Sequence, residues 1–168
     1  DLCAGSGCVG LALADQVPAC RVVLGELSTE ALAVCGENVR RCGLENRAEV
    51  RRLDALRPPP EDLGRFSCIV CNPPYIPDGD IPDLDGSVRD FEPHMALRGG
   101  ADGLDFYRAI VRDWRRVLLP GGRLYFEVGI GQAEAVRALL DAGGFTGTAV
   151  VPDGQGIDRV VSGAVPGT

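Results

Sequence analysis

Histidine is almost absent from this chain: His94 is the only one in 168 residues. A histidine-based metal site or catalytic dyad therefore has little to draw on, and a single loop histidine reads first as structural or exposed. Basic side chains are also in deficit, with 17 Lys and Arg against 24 Asp and Glu and a net charge of −7. Non-specific binding to phosphate backbones needs an excess of cations to displace counterions, so the chain as a whole is a poor candidate for it, though a local basic patch is left open. No stretch approaches the roughly 18 apolar residues of a membrane span, and no membrane partner is expected. Nor does a secretory leader open the sequence. Disulfide scaffolding is not indicated either. The seven cysteines are an odd number scattered through apolar segments, which fits free thiols in a reducing, cytoplasmic setting. Cys68 and Cys71 have the spacing of half a zinc site, but on a strand residues three apart face opposite ways. No metal is expected.

What is present is a globular composition, 45% hydrophobic and 24% charged. A chain of this length forms one domain, read here as residues 1–168, and buries roughly 70% of its unfolded surface. It shows no internal repeat, linker or low-complexity tract.

The first chemistry-bearing stretch is Asp1-Leu2-Cys3-Ala4-Gly5-Ser6-Gly7, a glycine-rich loop running into a helix. Unpaired N–H groups and the positive end of a helix dipole face whatever occupies such a loop, so it accepts phosphates or a carboxylate. The spacing predicts a strand over 21–25 that ends at Glu26. A helix is expected over Thr29–Cys42, capped by Ser28 and stopped by Gly43, with Leu32, Cys35, Val39 and Cys42 as its core face. An acidic residue about 20 positions past a glycine loop, at the end of the second strand, is where a ribose diol is gripped in dinucleotide-type folds. Glu26 occupies that place, and as an acceptor-only group it suits a vicinal diol. A weaker strand, 49–54, ends at Asp54.

Phe66–Cys71 reads as a buried strand, and Asn72-Pro73-Pro74-Tyr75 follows it. Two prolines fix φ and supply no N–H, leaving nearby carbonyls free of the sheet ladder. An amide, a stiff backbone and an aromatic ring within four residues suit a small planar group that carries an –NH2. Residues 76–103 are rich in Pro, Gly and Asp with little periodicity; a loop of that length tends to be functional, and it is read as a wall or lid of the site. Apolar residues at helical spacing from Leu104 to Leu118 predict a helix ended by Pro120-Gly121-Gly122. A strand over 123–128, a helix over 132–142 and an antiparallel pair over 148–151 and 159–162 close the chain.

Strands alternating with helices predict a mostly parallel α/β sheet with helices on both faces, and ligands outside the carboxyl edge of its strands. In this setting Asp1-x-x-x-Gly5-x-Gly7, Glu26, Asp54 and Asn72-Pro73-Pro74-Tyr75 resemble the motifs of Rossmann-like class I methyltransferases that use S-adenosyl-L-methionine. The segments Asn72–Pro77, Glu92-Pro93 with Ala96-Leu97 and Gly99-Gly100, Asp102–Tyr107, Leu119–Gly122 and Gly156–Val161 narrow this. Together they resemble the release-factor glutamine N5-methyltransferases, the PrmC/HemK family, from residue 1 to about residue 163. Asp102-Gly103-Leu104-Asp105-Phe106-Tyr107 is the most specific part. The resemblance implies a seven-stranded sheet with its last strand antiparallel, most of its first strand missing here, and a helical N-terminal substrate domain also absent. Cys3 stands where the family commonly has glycine.

For the site, the resemblance implies that Gly5, Ser6 and Gly7 contact the methionine part of the cofactor, Asp1 its ammonium, Glu26 its ribose and Asp54 its adenine amine, with Asn72 beside the methyl. Asn72, Pro73, Pro74 and Tyr75 would bind the substrate amide, with Asn72, Pro73 and Tyr75 carrying the chemistry. It implies a peptide chain release factor as protein partner, the glutamine of its Gly-Gly-Gln loop as acceptor, contact with nucleic acid only through the ribosome, and a monomer. Two other readings stay open at this point. Asn-Pro-Pro-Tyr equally suits methylation of adenine N6 or guanine N2 in nucleic acid, and a domain with an intact motif can still be an inactive nucleotide-binding fragment.

Overall fold

The computed structural model describes residues 1–90 and 93–167. The chain runs α1 (Cys8–Gln16), β1 (Val22–Glu26), α2 (Thr29–Arg41), β2 (Ala48–Arg52), β3 (Phe66–Cys71), the short α3 (Gly86–Arg89) and α4 (His94–Leu97), α5 (Asp105–Asp113), β4 (Leu118–Glu127), α6 (Ala133–Ala142), β5 (Thr146–Pro152) and β6 (Asp158–Ala164).

β1 pairs in parallel with β2, and β3 with β4. β6 is antiparallel to both β4 and β5, so the last strand is the reversed one. Leu2 joins the two groups: it bridges in parallel to Gly25 on β1 and to Cys71 on β3. The order is therefore β2-β1-Leu2-β3-β4-β6-β5, a mostly parallel sheet in which Leu2 holds the position between β1 and β3. Its N–H donates to Val70 O at 2.9 Å and that of Ala4 to Gly25 O at 3.0 Å. Beside it, β1 and β3 flank a slot of about 110 Å³, lined among others by Val22, Val23, Cys68 and Ile69.

The sheet separates two cores. Leu11, Ala14, Leu24, Cys35 and Val39 pack α1 and α2 on β1. A larger cluster joins Leu2, Ile69, Cys71, Leu124, Phe126 and Val128 to Tyr107, Ile110 and Trp114 and to Val136 and Leu140. Val23 packs on the second cluster while Leu24 sits in the first, as alternation along a strand requires. Tyr107 meets Phe126 edge-on, with centroids 5.0 Å apart and planes at 89°, a geometry worth about 0.5–1.5 kcal/mol beyond area burial.

Several expectations are corrected. The helix predicted over 104–118 ends at Asp113; Arg115–Val117 is a 3-10 turn and Leu118 already belongs to β4. Trp114, Val117 and Leu118 are buried all the same, so the periodicity reports core positions and overstates helix. Pro120-Gly121-Gly122 does not end a helix. It forms an irregularity inside β4, where pairing steps from Phe66–Leu118 to Cys68–Arg123, because Pro120 has no ladder N–H and Gly121 has φ of 75°. α2 ends at Arg41, with Cys42 exposed and Leu32 half-buried, while Ser28 caps it through the Ala31 N–H at 3.2 Å. Residues 76–103 hold α3, α4, a 3-10 turn at Ile81–Asp83 and an Ile76–Arg98 bridge. Glu92 lies outside the described residues. Cys68 is exposed and Cys71 buried.

Candidate active site

The glycine loop owes its shape to backbone conformations that side chains resist. Gly5 and Gly7 have φ of 57° and 86°, and Cys3 shares the left-handed region at 58°. A β-carbon there costs roughly 1–2 kcal/mol, which accounts for glycine at that place in the related motif. The loop is tied to the end of β1 by Glu26. Its Oε2 accepts the Gly5 N–H at 2.8 Å, and its Oε1 accepts those of Leu27 at 2.7 Å and Ser28 at 2.9 Å. Three backbone donors thus hold one carboxylate at a carboxyl edge of the sheet. Asp54 follows β2, and its Oδ1 accepts the Leu56 N–H at 2.9 Å.

These elements enclose a cavity of about 470 Å³, lined among others by Gly5, Glu26, Asp54, Asn72, Met95 and Phe106. Gly5, Glu26, Asp54 and Asn72, singled out in the sequence and drawn from four separate segments, share this one space. Pro74 also borders it, whereas Pro73 is fully buried and Tyr75 half-buried. Burial, with Glu127 nearby, pushes the Tyr75 phenol upward, so it stays neutral at physiological pH. Gly7 is buried against Cys35, where an added β-carbon would lie 3.0 Å from the thiol sulfur. Ser6 lies beside Cys8, its Oγ 3.0 Å from the Cys8 sulfur. Asp1 is directed elsewhere: its Oδ2 accepts the Gly10 N–H at 2.8 Å, and it borders the slot between β1 and β3. His94 is exposed at the start of α4. No group of three or more His, Cys, Asp or Glu is placed to hold a metal ion among the described residues, and no described helix is long and apolar enough to cross a membrane.

Sequence reasoning missed part of the lining. Cys3, Leu27, Ser28, Ala31 and Leu53 border the cavity on one side, and Pro93, Met95, Ala96 and Phe106 on another, while of the Asp54 neighbours expected from the sequence to shape the adenine slot, Ala55 and Leu56, Ala55 is in the lining. The second group bears out the reading of 76–103 as a wall; Phe106 stands in the sequence only as part of a family-like segment. Gly99 and Gly103 were also missed as structural parts. A β-carbon on Gly99 would lie 2.8 Å from Tyr75 Cα, Tyr75 C and Gly103 Cα, and one on Gly103 would strike Tyr75 O. Two glycines therefore let one backbone rest on that of Tyr75.

Known proteins share both the sequence and the fold. The family model described as Methyltransferase small domain matches residues 1–83. A release factor glutamine methyltransferase of Geobacter sulfurreducens is 45% identical over 98% of this chain and 57% of its own. One from Cereibacter sphaeroides is 43% identical over 99% of this chain and 59% of its own. By sequence this chain is similar to release factor glutamine methyltransferases. It spans a little over half the length of those curated relatives. The fold agrees: the S-adenosylmethionine-dependent methyltransferase SibL, in its apo form, superposes with a TM-score of 0.66 at 18% identity, over 99% of this chain and 49% of its own. The class I methyltransferase arrangement expected from the motifs, a mostly parallel sheet with the last strand reversed, is the observed one.

Proposed function

We propose that this chain is the catalytic domain of an enzyme that transfers a methyl group from S-adenosyl-L-methionine to the side-chain amide of a glutamine, in the Gly-Gly-Gln loop of a peptide chain release factor. The observation that carries the reading is the single cavity shared by Gly5, Glu26, Asp54 and Asn72. The residues suit the cofactor. The volume of about 470 Å³ lies within the ~300–1,000 Å³ usual for small-molecule sites, and acceptor-only carboxylates stand at two neighbouring strand ends beside a glycine loop. Glu26 would take the ribose hydroxyls, Asp54 the adenine amine and the Gly5–Gly7 loop the methionine part. Asp1, tied to Gly10, would act on the ammonium through the loop it braces. When bound, S-adenosyl-L-methionine supplies an electrophilic methyl group on a sulfonium.

An amide nitrogen is a poor nucleophile because its lone pair is delocalised into the carbonyl. Help comes from alignment and from acceptors facing the charge that develops on nitrogen. The Asn72 side-chain oxygen and the Pro73 carbonyl accept the two N–H groups of the substrate amide, which turns the nitrogen lone pair toward the methyl donor. Tyr75, neutral and half-buried, packs against the amide plane. The proton leaves after transfer, when the nitrogen has become acidic. The relatives' names favour glutamine over a nucleobase amine, as does the net charge of −7.

The test uses the whole protein with a release factor and with transfer RNA as competing acceptors. The expected result is one methyl on the release factor glutamine. Asn72→Ala should abolish it while changing cofactor affinity less than about threefold, because the hydrogen bond it removes is made to the substrate amide. Methylated nucleic acid with an untouched release factor would replace this reading with the nucleobase one. Absence of cofactor binding by the folded protein would leave a non-catalytic domain.

A further inference from the structure

Gln132 sits in the loop between β4 and α6, just before the first residue of the helix. Its side chain does not border the cofactor cavity. It lies instead where three backbones converge. Nε2 donates to Tyr75 O at 2.9 Å and approaches Gly103 O at 3.4 Å; Oε1 accepts the Gly129 N–H at 3.0 Å. The Tyr107 hydroxyl, which donates to Glu127 O at 3.0 Å, lies 3.5 Å from the same Oε1. An amide has two donors and an oxygen with two lone pairs, and here each side faces groups of the complementary kind. The orientation is unambiguous, because a flipped amide would set its oxygen against two carbonyls.

The space around this node is kept open by backbone. A β-carbon on Gly129 would lie 2.8 Å from Gln132 Oε1 and 3.0 Å from Tyr75 Cδ2. Gly103, Gly129 and Gln132 thus hold Tyr75 by its carbonyl and along its ring. Tyr75 ends the rigid turn whose Asn72 and Pro73 acceptors face the substrate amide. The two prolines transmit orientation along that turn, because their fixed φ leaves few ways for one end to rotate alone.

We propose that Gln132 is a positioning residue for methyl transfer: by donating to Tyr75 O and Gly103 O it sets the Asn72–Pro73 acceptor pair at the geometry the substrate amide requires. The inference rests on the functional reading above. Its reach is confined to the acceptor side, since Gln132 touches none of Gly5, Glu26 or Asp54.

Two variants of the whole protein test it. Gln132→Glu keeps the shape and the acceptor for Gly129 but opposes a carboxylate to two carbonyls; Gln132→Met keeps the volume and loses every hydrogen bond. Both are expected to lower kcat by about ten- to a hundredfold, the cost of one or two unmet part-buried hydrogen bonds, with the glutamate the slower. Cofactor affinity by calorimetry should stay within about twofold. Hydrogen exchange of the Gly129 amide should quicken in Gln132→Met and not in Gln132→Glu. A kcat within about twofold of wild type for Gln132→Glu overturns the proposal, as does a parallel fall of cofactor affinity and kcat, which marks a general loss of structure. A wild-type protein that transfers no methyl to a release factor overturns the functional reading itself, so the two failures are distinguishable.

Discussion

Glu26 holds Gly5. The 2.8 Å bond from the Gly5 N–H to Glu26 Oε2 makes the carboxylate at the end of β1 a strut of the glycine loop as well as a wall of the cavity. Preorganisation of this kind matters because a loop held in its bound shape has less entropy to lose on binding.

Glu26→Gln separates the two roles. An amide can keep the Leu27 and Ser28 bonds through its oxygen, but its –NH2 then meets the Gly5 N–H donor. S-adenosyl-L-methionine affinity should fall about ten- to a hundredfold, as expected when a charge-assisted hydrogen bond becomes a donor–donor clash. Calorimetry on the folded variant measures it; an affinity within about twofold of wild type would remove Glu26 from the site.

Gly99→Ala tests whether the backbone approach to Tyr75 matters. The new methyl would lie 2.8 Å from three backbone atoms, none of which can move as a flexible side-chain end would. A loss of about 1–3 kcal/mol in stability is expected from overpacking, with kcat falling by more than cofactor affinity. Gly79→Ala is the control, since nothing lies within 4 Å of a β-carbon there. Denaturant titration and turnover of both variants decide the matter.

Asp102 and Arg108 give a pH signature. Arg108 donates to Asp102 Oδ1 at 2.8 Å and to Oδ2 at 2.5 Å, and this lowers the Asp102 carboxyl from 3.8 to about 2. A native value below the unfolded one means that the pair stabilises the 99–105 turn above about pH 4. That contribution is lost as pH falls from about 4 to about 2. Arg108→Gln should return Asp102 toward 3.8, read by carboxyl carbon NMR. Asp102 is exposed, so global stability near neutral pH should change little. An unshifted Asp102 in the variant would show that the ion pair is not the cause.

Much of the site is legible in the sequence because its chemistry sits at fixed places in the chain. Gly5, Glu26, Asp54 and Asn72 each stand where an element ends, and hydrophobic alternation with acidic or glycine punctuation marks such ends without knowledge of the fold. Phe66–Cys71 is readable as a strand for the same reason, although it is buried only at Ile69 and Cys71, with Ser67 and Cys68 exposed. Over Leu104–Leu118 the pattern misleads, because buried positions repeat alike whether the backbone is helix, 3-10 turn or strand entry. Only pairing of Leu118 with Phe66 chose the strand.

By itself the sequence determined the fold class, the four residues that share the cavity and the rigid Asn72–Tyr75 turn, since these follow from local periodicity, from the permissive backbone of glycine and from the restricted one of proline. Tertiary structure alone decided the rest. It set Leu2 between β1 and β3, turned Asp1 toward Gly10, laid Gly99 and Gly103 on the backbone of Tyr75 and placed Gln132 at the node behind it, 57 residues from the carbonyl it binds. In each case the meeting runs through backbone. Backbone N–H and C=O groups are the same in every residue but proline, so the side-chain pattern carries no record of which of them will pair.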